Sequence, residues 1–232
     1  MEHSGQVYSR LFSRRFLYLI LTVSIATNVI LIAKLRYPNL LKTVMCSLIP
    51  APKVLPADHV RGKRDAKNTV IVYTDFQCPF CATLHNSLNF AVASTDTRWI
   101  LRHFPRASHT LAGKAAEAAE CSGEQKKFWE YCDALYNLDE ELTEEVFNVI
   151  AVRLGLNKGS FAACLNSGKH SATVLDQIAQ GEKLKIDGTP TTFINGKRYV
   201  GVISVAELNK LLGGNVDCGQ AAGKDGTVDA CR

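Results

Sequence analysis

The sequence has no block of basic residues, no internal repeat and no second Cys/His pair at zinc-ligand spacing. Its 27 Lys+Arg against 22 Asp+Glu leave a formal charge of +5 spread along the chain, so the electrostatic stripe of a nucleic-acid binder is missing. With no repeat to divide it, a chain of 232 residues reads as one compact domain plus appendages. The missing Cys/His pair bears on Cys78-Pro79-Phe80-Cys81, which would otherwise read as half a zinc site; His85, four residues on, does not complete one.

Charge is also missing from Phe16 to Ala33, 18 residues in all. As a helix this segment spans about 27 Å, roughly one hydrocarbon core. Arg10, Arg14 and Arg15 precede it and keep residues 1–15 cytoplasmic, although Lys34 and Arg36 on the far side weaken that signal. Ile32-Ala33-Lys34 is a poor cleavage site, which favours an uncleaved signal anchor over 16–33. Thr22, Ser24, Thr27 and Asn28 lower its hydrophobicity and keep a cleaved signal peptide open as the rival. Either way the remainder is exported, and eight cysteines in an exported chain point to disulfide chemistry.

The informative motif is again Cys78-Pro79-Phe80-Cys81. It follows Thr69–Asp75, a β-branched run that reads as a buried strand, and precedes a helical pattern. Sulfurs at a helix N-terminus meet free backbone N–H groups and the helix dipole, both of which favour a thiolate. Pro79 suits a first helical turn. A disulfide closing so small a ring is labile rather than a staple. The chemistry implied is thiol–disulfide exchange.

Residues 34–57 carry Pro38, Pro50, Pro52 and Pro56 and read as a linker, with the domain spanning 58–214 and a flexible tail over 215–232. Within the domain the pattern predicts strand Thr69–Asp75, helix Phe80–Ser94 and strand Thr97–Phe104. Helices follow over Ser108–Cys121 with Ser108 as N-cap, Gln125–Leu138, Thr143–Leu154, Ser160–Leu165 and Ser171–Leu184. Thr191–Ile194 and Arg198–Val200 make a hairpin through Asn195-Gly196. Ser204 caps a last helix that Gly213-Gly214 ends. This order is an α/β thioredoxin-type sheet with a helical insertion over about 107–186, preceded by a transmembrane helix.

These elements carry a resemblance. Val60-Arg61-Gly62, Asp75 to Cys81, Arg102-His103-Phe104-Pro105, Ala115–Cys121, Phe128-Trp129-Glu130-Tyr131, Cys164 to Gly168 and Gly188 to Gly196 occur in the order found in DsbA-like thiol–disulfide oxidoreductases of the thioredoxin superfamily. The chain resembles that family over about Asp58–Gly214. The resemblance implies Cys78 as nucleophile, Cys81 as resolving cysteine, and Pro79 and Phe80 as residues that tune the Cys78 pKa. It also implies a cis bond at Pro190, where the residue alone reads as a trans proline opening a strand, and pairing of the Thr189 backbone with an extended substrate. Cys121 and Cys164 fall where relatives often carry a structural disulfide. The tail cysteines Cys218 and Cys231 flank a Gly-rich segment and are placed to pair with each other.

Two departures from the family matter. Strong oxidants often have His where this chain has Phe80, and many relatives have an acid at the position of Val72. An intermediate potential follows, within the span of about −270 to about −120 mV that separates reductants from oxidants. Asp75 is either a substitute proton acceptor or a capping residue. His85 and His103 are expected to be structural or surface residues. Cys132 reads as a buried thiol, Phe128 and Tyr131 as core, and Trp129 as partly exposed; Cys46, which has no lipobox, stays unassigned.

The expectation is a single-pass protein of the bacterial inner membrane, with its catalytic domain in the periplasm, exchanging disulfides with exported proteins. It uses no cofactor, metal or nucleic acid. A membrane redox partner is implied, either a quinone-linked oxidase or an electron-donating reductase. The alternatives are a reductase or isomerase held reduced by a membrane donor and, from another class, a binding protein or chaperone of an envelope assembly on the same scaffold. The absence of an N-terminal dimerisation domain disfavours a V-shaped dimeric isomerase.

Overall fold

Residues 3–36, 50–138 and 141–214 are described by the structure, a computed structural model, and fall into two units, one ending at Pro50 and one beginning at Ala51. In the first unit, α1 (His3–Arg36) contains Phe16–Ala33, a stretch of mean hydropathy 2.3 with none of its window buried. Among the described residues it is the one helix long and apolar enough to cross a bilayer.

The second unit is built on β1 (Val60–Arg61), β2 (Asn68–Thr74), α2 (Pro79–Ala93) and β3 (Thr97–His103). Five helices follow: α3 (Ala112–Gly123), α4 (Phe128–Tyr136), α5 (Glu144–Arg153), α6 (Lys158–Asn166) and α7 (Ser171–Lys183). The hairpin β4 (Thr191–Ile194) and β5 (Lys197–Val200) and the helix α8 (Val205–Leu212) complete it. The sheet order is β1-β3-β2-β4-β5; β2 and β3 run parallel and the other pairs antiparallel. Asn195 and Gly196 both have positive φ, as a tight hairpin turn requires. This is the thioredoxin-type α/β fold, with the helices inserted between β3 and β4.

Alternation along the strands divides the sheet into two faces. Val70, Val72 and Thr74 of β2 lie level with Trp99, Leu101 and His103 of β3. Val70, Val72 and Trp99 share a core with Leu84 and Leu88 of α2 and Leu208 and Leu212 of α8. A second core fills the helical insertion around Tyr131, Phe147 and Phe161, and it includes both Cys78 and Cys81. The redox motif therefore lies at the seam between sheet and insertion. Phe128 and Tyr131 are buried and Trp129 is partly so, as their spacing implied.

On the opposite face, Tyr73 of β2 pairs in register with Arg102 of β3. The Arg102 guanidinium is almost wholly buried, yet all three of its nitrogens donate: to Asp58 at 3.2 and 2.9 Å, Tyr73 Oη at 3.1 Å, Gln180 at 3.0 Å and the Lys53 carbonyl at 2.6 Å. These contacts build Lys53–Asp58 into the domain, although most of that stretch was expected to be linker. A buried guanidinium needs acceptors, and this segment supplies them.

Other differences also come from long-range contacts. Ser108 does not cap α3, which begins only at Ala112. The N–H of Arg106, just before Ser108, is taken by the Asp75 carboxylate and that of Leu111 by the Gln77 amide, at 2.7 Å each, and these contacts delay the helix. Val60-Arg61 forms a short strand, too brief to carry a period. Thr143 occupies the N-cap of α5, but its hydroxyl bonds the Glu145 carboxylate rather than a helix N–H. Ser204 caps α8 as expected, accepting from Glu207 N–H at 3.2 Å, and Gly213 ends it at φ 73°.

Cys121 and Cys164 are joined, tying α3 to α6 across a sequence separation of 43. A loop of that length stabilises by about 4 kcal/mol in the chain-entropy model. Cys46, Cys218 and Cys231 lie outside the described residues.

Removing one partner of the Arg102–Asp58 pair strands a buried charge, which costs about 3–5 kcal/mol. Asp58→Ala is expected to lower the urea midpoint by that much stability at unchanged m-value, in equilibrium denaturation followed by tryptophan fluorescence.

Candidate active site

The site begins where β2 ends. The loop after Thr74 is held by Asp75, a residue only 1% exposed. Its Oδ1 accepts from Gln77 N–H at 2.8 Å; its Oδ2 accepts from Arg106 N–H at 2.7 Å and pairs with His109 Nδ1 at 2.8 Å. Of the two readings for Asp75, the structure supports the structural one. Its carboxylate holds the loop, and it is the Asp75 backbone that bonds the Cys81 sulfur.

Cys78 is the N-cap of α2, in an extended conformation, and Pro79 follows at the first helical position. The Cys78 carbonyl accepts from Cys81 N–H at 3.0 Å and Ala82 N–H at 3.2 Å, closing the first turn over the motif. Both cysteines are free thiols in this structure, and Cys81 is the more deeply buried of the two. The Thr189–Pro190 bond is cis, and the Cys78 thiol faces the Thr189 carbonyl at 3.5 Å. Phe80 projects into solvent, 63% exposed.

These surroundings drive the two sulfurs apart in acidity. A hydrogen bond from the Cys81 thiol, helped by the Thr189 hydroxyl and the Cys81 and Phe80 N–H groups, pulls the Cys78 pKa down to about 5 against the cost of burial. Burial pushes the Cys81 thiol far up, as does the need to ionise beside Cys78. One sulfur is thus a ready nucleophile and the other a proton donor that must be deprotonated before it can attack.

Val72, at the position where relatives often carry an acid, is an apolar core residue level with Leu101 and Thr192. The groups nearest Cys81 are instead hydroxyls that the motif reading missed. Thr74 Oγ1 is a hydrogen-bond partner of the Cys81 sulfur and lies 2.5 Å from Tyr136 Oη. Thr74 was legible in principle, because it shares the strand parity of Val72 and lies one pleat nearer the motif. Tyr136 carries no such signal, since 62 residues separate it from Thr74. A groove of about 450 Å³ opens beside Cys78, lined in part by Phe76, Gln77, Pro79, Leu135 and Tyr136.

Below the motif, His85 and His103 are buried and structural. His85 Nε2 meets Asp133 at 2.6 Å, and Arg61 clasps the same carboxylate. His103 and His59 pair with the two oxygens of Glu120 at 3.0 and 2.9 Å. Burial alone would raise both acids, but these hydrogen bonds hold Glu120 and Asp133 well below the usual carboxylate range. Burial lowers the His85 pKa and keeps its ring neutral. Cys132 is fully buried, as expected, and its thiol is pushed well up. Cys121, Cys164 and His170 lie close together, but the two sulfurs are spent on each other and cannot serve as metal ligands.

A strand-to-helix Cys pair facing a cis-proline loop defines a thioredoxin-type site. The family model described as Thioredoxin matches residues 55–213, and the chain belongs to that family. Its fold is shared with a thioredoxin-like oxidoreductase of Silicibacter pomeroyi, at TM-score 0.63 and 22% identity over 68% of this chain and 92% of that one. It is shared equally with α-DsbA1 of Wolbachia pipientis, at TM-score 0.61 and 22% identity over 69% and 93% of the two chains. BdbD of Bacillus subtilis gives TM-score 0.58 and 19% identity over 72% and 98%. A curated relative, Na(+)/H(+) antiporter NhaA 3 of Salinispora tropica, is 35% identical over 154 residues, which are 66% of this chain and 24% of that protein. The chain thus spans about a quarter of that relative's length.

A depressed thiol pKa leaves Cys78 ionised above it and protonated below. Alkylation of the reduced protein at Cys78 is expected to rise with pH through a midpoint near 5 and then level off, with Cys81 unreactive across the plateau. Stopped-flow absorbance of the thiolate and mass mapping of the adduct check this. A midpoint near the ordinary cysteine value would refute the hydrogen-bonded thiolate.

Proposed function

We propose that this chain is a membrane-anchored protein thiol–disulfide oxidoreductase, working on exported proteins at the periplasmic face of a bacterial inner membrane. The carrying observation is the Cys78 sulfur, set at the start of α2 and facing the Thr189 carbonyl beside cis-Pro190. That arrangement offers a substrate an electrophilic or nucleophilic sulfur next to a strand-like docking edge.

In the reducing direction, the Cys78 thiolate attacks a substrate disulfide and forms a mixed disulfide. Cys81 then attacks Cys78, closing the intramolecular bond and releasing the substrate as a dithiol. In the oxidising direction the same steps run backwards, and the substrate gains the disulfide. Thr189 and Pro190 position the substrate segment, while Pro79 and Phe80 shape the helix start. The apolar stretch Phe16–Ala33 of α1 supports the anchor. A membrane redox partner, either a quinone-linked oxidase or an electron-donating reductase, resets the pair.

The direction of the reaction follows from how strongly the reduced form is favoured. A Cys78 pKa of about 5 lies between the values of about 7 and about 3.5 that accompany reducing and strongly oxidising enzymes. Exposed Phe80 adds no cation to push it further. The expected potential is near the about −180 mV of an isomerase. Likeness to part of an antiporter supports a module that works beside membranes; ion transport is not carried over to this chain.

Equilibration of the full-length protein in detergent with glutathione buffers tests the reading. A value of about −120 to −150 mV supports disulfide donation, one of about −180 mV an isomerase, and one of about −250 mV or below the reductase alternative. Cys81→Ser is expected to trap envelope proteins as mixed disulfides on Cys78, and Cys78→Ser to abolish exchange. If Cys78→Ser kept full function in cells, the chaperone reading would replace this one.

A further inference from the structure

Resolution of the mixed disulfide needs Cys81 as a thiolate, yet Cys81 is 1% exposed and burial strongly disfavours its ionisation. Its proton must leave by some route. The nearby acids do not offer one. The Asp75 carboxylate already accepts from two backbone N–H groups and faces His109. Asp133 is occupied by Arg61, His85 and Asn89, and Glu120 by His59 and His103. Of the two histidines beneath the motif, each uses Nε2 for its carboxylate, and neither Nδ1 makes a hydrogen bond to Cys81 or to any other group. The sheet position one pleat back is Val72.

What does reach Cys81 is a pair of buried hydroxyls. Thr74 ends β2 on the face that α2 covers, and its Oγ1 contacts the Cys81 sulfur. Tyr136 Oη lies 2.5 Å beyond it. The Tyr136 ring is fixed between Phe76, at a centroid distance of 4.8 Å, and His85, at 4.5 Å. Tyr136 is itself buried but also lines the groove that opens beside Cys78, so its side chain connects the hydroxyl pair with that space. The Tyr136 phenol stays protonated, because burial and the neighbouring Cys81 raise its pKa.

We propose that Thr74 and Tyr136 form a proton relay between Cys81 and the groove, taking the place of a buried carboxylate. This rests on the exchange reading given above. In the resolving step the Cys81 S–H proton passes to Thr74 Oγ1 as the Thr74 hydroxyl proton passes to Tyr136 Oη and the Tyr136 proton passes to groove water. The Cys81 electron pair then forms the bond to Cys78 Sγ, the Cys78–substrate S–S bond breaks, and the departing thiolate takes up a proton from the groove. Two electrons move from the Cys78–Cys81 pair to the substrate disulfide, and no other reactant is required. In the oxidising direction the same hydroxyls reprotonate the Cys81 thiolate.

Full-length reduced protein in detergent, mixed with oxidised glutathione and acid-quenched over time, separates the two steps. Mass mapping of the Cys78 peptide reads formation of the glutathione adduct and then its loss to the intramolecular disulfide. Tyr136→Phe and Thr74→Val keep the shape and remove one hydroxyl each. Both are expected to form the adduct at the wild-type rate and to resolve it more than about tenfold slower, on the scale of a lost proton-transfer group. Thr74→Ser restores the hydroxyl and is expected to restore resolution. Resolution by both Phe and Val variants within about tenfold of wild type would overturn the relay, as would failure of the Ser variant to recover while its adduct formation is normal. A wild-type protein that forms no Cys78 adduct would overturn the exchange reading, and the relay with it.

Discussion

The pairing of the Cys78 and Cys81 sulfurs, one made acidic and the other not, is the interaction on which the rest of the structure bears. It works only if the two sulfurs lie at different depths, one at the lip of a helix and one a turn further in. A thiolate at the lip gains from the backbone N–H groups of the first turn and from the helix dipole. A sulfur buried beneath it cannot compete for the charge and so donates. Depth depends in turn on α2 being seated firmly. Leu84 and Leu88 seat it on the sheet, and His85, through Asp133, fastens it to the inserted helix α4.

The same device recurs around the site. Asp75 ties the loop before the motif to the turn before α3, Asp133 ties α2 and β1 to α4, and Glu120 ties α3 to β3 and to His59. Each buried or half-buried carboxylate joins the insertion to the thioredoxin-type core through several hydrogen bonds at once. Apolar packing holds the two halves together, and these acids fix their register. Like other buried ionic groups, they are weak evidence for stability, because desolvation offsets much of their attraction.

Much of this was legible in the sequence, where the cause is local. A β-branched run gave β2, Asn195-Gly196 gave the hairpin, Ser204 gave a cap, and Cys78-Pro79-Phe80-Cys81 gave the helix start and its chemistry. The Cys121–Cys164 bond and the cis bond at Pro190 came from resemblance, since neither spacing nor composition selects them. What escaped was set by distant partners. Asp75 and Gln77 displaced the expected start of α3 from Ser108, a two-residue strand had no period to show, and Arg102 drew Lys53–Asp58 into the domain. Tyr136 comes to Thr74 only because α4 folds back over the motif. The pairing expected of Cys218 with Cys231 concerns residues the structure does not describe.

Arg102 has a mechanical consequence. Chain entering the domain near Lys53 is gripped there by a guanidinium that is itself locked to Asp58, Tyr73 and Gln180. Arg102 and Tyr73 point to the sheet face opposite the one that α2 covers. Tension on the polypeptide ahead of the domain would therefore enter the fold through β3, β2 and α7 together, on the sheet face away from α2.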